Sequence, residues 1–178
     1  MLGYTTTRAT RGHRRPPPRQ SAQFGTGNAQ ALQGVRWLRR EGFTVVAKEL
    51  QGVGYSEPAD MIGFRASCSV LLRPVDGREE FEREMQSPRA QAGTIGLYRL
   101  FICPPGVIQT HELPFGWGLL YATERSIEEV VRPPGNIWPG PGTKIPAVMR
   151  FQHQPDPQAE RQVLFALCRK MAAGENVE

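Results

Sequence analysis

Apolar residues between Asn28 and Arg40 recur at helical spacing, with Ala31, Leu32, Val35 and Leu38 as the stripe and Trp37 at its margin. Arg36, Arg39 and Arg40 take the other side. Asn28 is a candidate cap, and Glu41-Gly42 a stop, so a helix is expected over 28–40. The period then changes. Phe43 to Ala47, Met61 to Phe64, Cys68 to Leu72 and Tyr98 to Cys103 are short runs rich in β-branched and aromatic residues, bounded by Gly and Pro, and read as strands. Leu113 to Ala122 is a turn leading into another strand, and the run around Ile127 to Val131 is an edge strand or hairpin.

Two further helices are expected. Arg78 to Gln86 follows the Asp76-Gly77 turn, carries Phe81 and Met85 at i, i+4, and is closed by Pro88. The last runs from Pro157 to about Ala172, capped by Asp156, with Val163, Leu164, Leu167 and Met171 as its apolar face. A Pro/Gly-rich loop, 133–146, precedes it and carries Trp138, which reads as an exposed aromatic. The order of helix, several strands, helix, strands, long loop and helix predicts an α/β or α+β fold with a small mixed central sheet flanked by helices.

With 178 residues, 39% of them hydrophobic, the chain suits one domain with tails. The expected division is an arm over 1–27, a folded domain over 28–172 and a tail over 173–178. The arm has few large apolar residues and contains Pro16-Pro17-Pro18. It reads either as a solvated tail or as an arm that meets phosphates or an acidic partner. Five of the 22 basic residues lie there, Arg8, Arg11, Arg14, Arg15 and Arg19, with no acid among the first 20 positions. The 17 that remain balance the 17 acidic residues, so the formal net charge of +5 is the charge of the arm.

No apolar run approaches the roughly 20 residues that a membrane span needs. The basic N-terminus lacks the apolar core of a secretory signal. Three cysteines, Cys68, Cys103 and Cys168, form no CxxC pair, which points away from a disulfide framework or a zinc site and towards a reducing cytoplasm. His13, His111 and His153 form no ligand or base pattern and read as surface residues. There are only three lysines, Lys48, Lys144 and Lys170, which narrows the choice of any catalytic lysine.

The series GFTVVAKEL, PADMIGF, SVLL, REEF, YRLFICPPGVI and ELPFGWGLLYA, followed by an amphipathic helix, resembles the PD-(D/E)XK nuclease fold. Within it, the chain is similar to small phage and bacterial nuclease-like proteins, including the MmcB-like DNA-repair group. The resemblance spans roughly residues 29–172 and implies a restriction-endonuclease-like core. It also implies a carboxylate at the start of a hairpin that holds a divalent metal, and a second carboxylate two residues before a lysine on the next strand. Asp60 matches the first carboxylate and Glu49 a supporting one. The second position falls on Arg73-Pro74-Val75. Arg73 puts a cation where a metal ligand is needed, and Val75 an apolar group where the lysine is needed. An arginine there would repel a divalent ion and can pair with Asp60.

Three functions follow. The first is a catalytically inactive nuclease-like protein of phage type that binds nucleic acid, most simply DNA. Arg65, Arg73, Arg89 and Arg99 would line its groove and the arm arginines would add affinity, with no cofactor. The second is a Mg²⁺- or Mn²⁺-dependent nuclease whose site has migrated, using Asp60 as metal ligand with Glu49 and with Glu80 from the following helix. The third is a protein-binding inhibitor of a host defence or nucleic-acid complex, or a virion component, to which the arm and Trp138 point. The expected setting is the cytoplasm of a bacterial host cell, or a virion, with no membrane partner.

Overall fold

The computed structural model describes residues 28–50, 59–87 and 95–174. The arm over 1–27, the Gly52/Gly54 loop, Pro88, Arg89 and the last four residues lie outside them. Helix α1 spans Asn28–Arg40. Strands β1 (Val45–Leu50), β2 (Ala59–Phe64) and β3 (Ser69–Pro74) follow, then α2 (Arg78–Gln86) and β4 (Tyr98–Cys103). A 3-10 turn at Thr110–Glu112 leads to β5 (Trp117–Ala122) and β6 (Ile127–Val131). The short helix α3 (Pro146–Met149) and the long helix α4 (Pro157–Ala172) complete the chain.

The six strands form one mixed sheet in the order β1-β2-β3-β4-β5-β6. The first three are antiparallel to one another, β3, β4 and β5 run parallel, and β6 turns back against β5. Helices cover both faces, so the fold is α+β in three layers. Trp37, Leu38 and Val35 of α1 join Val70, Leu72, Leu100 and Trp138 in the core of one face. On the other face, Ala159, Val163 and Leu167 of α4 meet Ala47, Ile62 and Leu71. Phe81 of α2 meets Val75, Phe101, Trp117 and Leu119 beside them.

Gly34 sets how α1 docks. A Cβ at that position would lie 2.5 Å from Met61 Sδ and 3.2 Å from Leu72 Cδ1, so the helix backbone rests almost on the sheet. With 3.6 residues per turn, Leu32 sits about 200° round the helix from that contact line. It is 46% exposed, contrary to its expected place in the stripe. The helix ends as the Glu41-Gly42 pair predicts. Gly42 takes φ +84°, its N–H donates to the Arg39 carbonyl, and the Phe43 N–H donates to the Leu38 carbonyl. This is a Schellman closure that only glycine forms without strain.

The Pro/Gly-rich loop is bound to the body. Trp138 is 2% exposed, which corrects the expectation of an exposed aromatic. Its ring meets Trp37, Phe43 and Tyr98 edge-on at 5.1–5.9 Å, and its Nε1–H donates to Glu41 Oε2 at 3.1 Å. Arg132 bridges Glu41 and Glu129 over the same indole. Cys68 and Cys103 are buried and Cys168 exposed, all as free thiols. No helix among the described residues is long and apolar enough to cross a membrane.

Candidate functional site

The β2/β3 hairpin pairs Met61 with Leu72 and Ile62 with Leu71. Carried one residue further, this register sets the backbone of Arg73 beside that of Asp60. In β1, the pairs Lys48 with Met61 and Leu50 with Ala59 enclose the positions of Glu49 and Asp60. Positions 49, 60 and 73 therefore form one backbone row across three strands. The side chains of Glu49 and Asp60 lie outside the described residues, and Arg73 is within them.

Arg73 is 5% exposed. It shares a sheet face with Leu71 and Val75, the face covered by α2 and α4. Its Nη1 donates to Glu84 Oε1 at 2.8 Å. Helix α2 makes this possible because Phe81, buried edge-on against Phe101 at 5.5 Å, fixes the helix rotation. Glu84 lies one turn further along the same side. Glu80, expected as a migrated ligand, is exposed, and its Oε2 accepts the Asp76 backbone N–H at 2.7 Å. It closes the start of α2. The α2 carboxylate that reaches Arg73 is Glu84, and the i, i+4 spacing of these two glutamates was the signal for it.

Chemically, position 73 holds a cation within hydrogen-bonding distance of the Glu84 carboxylate in a place shielded from water. A guanidinium so placed competes with a divalent ion for the Glu84 oxygens. Among the described residues no group of three or more His, Cys, Asp and Glu side chains is placed to hold a metal. Lys48 pairs with Met61, whose side chain lies against Gly34 of α1. It is thus on the face opposite Arg73.

The other candidate cations are built into the body. Arg65 donates to the carbonyls of Glu41 and Ile137 and lies over the Phe43 ring at 4.7 Å. It fastens the end of α1 to the Pro/Gly-rich loop. Arg99 is 4% exposed, and its Nε–H donates to the Ile95 and Gly96 carbonyls at 3.1 and 3.2 Å. His153, expected at the surface, is half-buried: its Nε2–H donates to the Gly116 carbonyl at 3.2 Å, and Trp117 packs edge-on against it. Burial and then the Arg99 charge push its pKa down to about 4. Arg8, Arg11, Arg14, Arg15, Arg19 and Arg89 lie outside the described residues.

Two polar features escaped the sequence reading. Glu160 of α4 accepts hydrogen bonds from Ser69 Oγ at 2.5 Å and from the Gly96 N–H at 3.0 Å, tying α4 to β3 and to the start of β4. Gln30 is 2% exposed and has no hydrogen-bond partner for either carboxamide atom. A polar residue one turn before Gly34, on the buried side of an otherwise apolar helix, was the available signal for the second.

No protein-family model matches this chain, and no curated protein matches it. Among solved structures it is similar to a protein of unknown function from Silicibacter pomeroyi, at 16% sequence identity and a TM-score of 0.57. The likeness covers 83% of this chain and 87% of that one. At that identity it establishes a shared fold, the six-stranded mixed sheet between helices, over most of both molecules.

Proposed function

We propose that the chain is a nuclease-like fold that binds nucleic acid without cutting it, and that its N-terminal arm supplies most of the affinity. The observation carrying this reading is Arg73: at the place where the resemblance calls for a metal-binding carboxylate, a guanidinium is buried and paired with Glu84 at 2.8 Å. The β2/β3 hairpin, with Asp60 near its start, also supports it. Arg65, Arg73 and Arg99 are engaged within the body, and the 17 basic residues beyond the arm are balanced by 17 acidic ones, so the net positive charge is that of the five arginines of residues 1–20.

Binding through five arginines to duplex DNA gives a log–log salt slope of about −4 to −5. Affinity should therefore fall by roughly two to three orders of magnitude between about 50 and 200 mM salt. Fluorescence anisotropy with duplex and single-stranded DNA measures this, beside a chain lacking residues 1–20. Loss of the slope on deletion is expected. Binding that ignores salt, or none at all, overturns the reading. Nicking with Mg²⁺ or Mn²⁺ that disappears in Asp60→Ala would replace it with a migrated-site nuclease.

A further inference from the structure

Helix α4 leaves one flank open. Its Ala159, Val163 and Leu167 are buried against the sheet. At about 100° per residue, Phe165 points roughly 200° away from Val163, into solvent. It is 65% exposed. Leu164 and Met171, expected in the buried stripe, are 36% and 61% exposed. They lie to one side of the Val163–Leu167 line, on the same flank as the exposed Cys168.

Two cations bracket the Phe165 ring. Arg161 and Arg169 stand one turn before it and one turn after it, at i−4 and i+4, and both are exposed. Among the described residues neither guanidinium forms an ion pair or a hydrogen bond. Arg65, Arg73, Arg78, Arg99 and Arg132 differ, each being held by a carboxylate or a carbonyl. No acidic residue occurs from Arg161 to Gly174, and Lys170 adds a third cation. Glu160, the acid next to this stretch, is turned to Ser69 and to the Gly96 N–H.

A single exposed aromatic needs no explanation. A ring between two unpaired guanidinium groups combines a stacking face with two phosphate donors, the elements of a surface for unpaired nucleotides. A second copy of the chain fits less well. Two α4 helices packed antiparallel about Phe165 set Arg161 of one against Arg169 of the other. Packed parallel, they set each arginine against itself. Both arrangements bring like charges together.

We infer that the open flank of α4 binds single-stranded nucleic acid, with one base stacked on Phe165 and with Arg161 and Arg169 on the phosphates to either side. Bases in a duplex keep their faces covered, so this flank selects single strand over duplex. The arm, which meets phosphates alone, makes no such choice. The inference deepens the nucleic-acid reading and rests on it.

The test is fluorescence anisotropy of the full chain with a short oligothymidylate and with a hairpin duplex of equal length. Phe165→Ala should weaken binding of the single strand about tenfold, the worth of one stacked base, and leave the duplex unchanged. Phe165→Tyr should keep the affinity. Phe165→Leu, which keeps apolar area but loses the π face, should behave like Phe165→Ala. Arg161→Gln combined with Arg169→Gln should make the single-strand log–log salt slope shallower by about 1.4. All three side chains are exposed, so thermal midpoints should stay level. Single-strand affinity of Phe165→Ala equal to that of the native chain overturns the inference; if deleting the arm still removes the salt slope, the nucleic-acid reading stands. A Phe165→Leu chain that binds like the native one also overturns it, because apolar contact would then hold the strand. So does a native chain that sediments as a pair beside a Phe165→Ala chain that sediments singly, which gives the flank to a second copy. If no oligonucleotide binds, both readings fall.

Discussion

Arg73 Nη1 lies 2.8 Å from Glu84 Oε1, and the two side chains keep only 6% and 16% of their exposure. The pair joins the end of β3 to the last turn of α2 across the hydrophobic contact of Phe81 with Phe101. A charge pair so far from water is costly to form and more costly to break, since removing one member leaves the other desolvated. That asymmetry makes Arg73 a structural commitment: the chain cannot give up the cation at this position without a matching change at Glu84.

Arg73→Ala is therefore expected to destabilise the fold by about 3–5 kcal/mol in urea denaturation. Glu84→Gln should cost less, because the amide still accepts a hydrogen bond. The double change Arg73→Met with Glu84→Leu, which replaces the pair by apolar groups of similar volume, should recover most of the loss. Additive single and double effects would show that the two residues do not act as a unit.

Much of the fold was legible in the sequence, and the reason is local punctuation. The bounds of α1, α2, β4 and α4 coincide with those expected, because Gly42, Asp76-Gly77 and Asp156-Pro157 each stop or start an element by their own backbone chemistry. The errors are long-range ones. Leu32 has helical periodicity but lies off the contact line that Gly34 sets against Met61. Trp138, in a Pro/Gly-rich loop, gives no local sign that Glu41, 97 residues away, will hold its indole. Arg99 reads as a surface cation on a strand until its neighbours in the parallel sheet and the carbonyls of Ile95 and Gly96 enclose it. At the candidate site, the sequence located Asp60 and Arg73 in one hairpin. Choosing Glu84 over Glu80 required the rotation of α2, which Phe81 decides.

Trp138 should be among the most costly residues to truncate. It is buried, meets three aromatic rings and donates to a buried carboxylate. Trp138→Ala is expected to lose about 3–5 kcal/mol, the range for large aromatic truncations. Residues 133–146 should also become susceptible to limited proteolysis under native conditions. A loop that stays resistant, with a loss under about 1 kcal/mol, would contradict its role as a clamp on α1.

Gly118 sits where two strands and a side chain converge. A Cβ added there would stand 2.7 Å from the Val131 carbonyl oxygen and 2.7 Å from Leu100 Cγ. The first of these is backbone and cannot swing aside. Gly118→Ala should cost about 1–3 kcal/mol by overpacking and weaken the pairing of β5 with β6. Amide hydrogen exchange resolves it: protection should fall in β6 more than in β3, and uniform loss across the sheet would point to a global effect instead.

Acid should destabilise the protein in two separate steps. His153 is held neutral by burial and by the Arg99 charge, with its pKa lowered to about 4 from an ordinary value of 6.5. Its contribution is complete above about pH 6.5. It is lost as pH falls towards 4, because the unfolded chain takes up the proton first. The loss is up to about 2 kcal/mol after allowing for the ring's partial exposure to water. Glu112 titrates lower. The Arg78 side chain 2.7 Å away and the Gln109 N–H hold its carboxyl down at about 2, so its contribution persists above the ordinary 4.5 and disappears only as pH drops towards 2. Equilibrium denaturation from pH 7 to 3 should then show a decline beginning above pH 5, before carboxylates titrate. His153→Gln, which keeps a donor for the Gly116 carbonyl, should remove that early decline and leave the lower one in place. A curve for His153→Gln that still falls between pH 6.5 and 5 would mean that another group carries the early proton uptake.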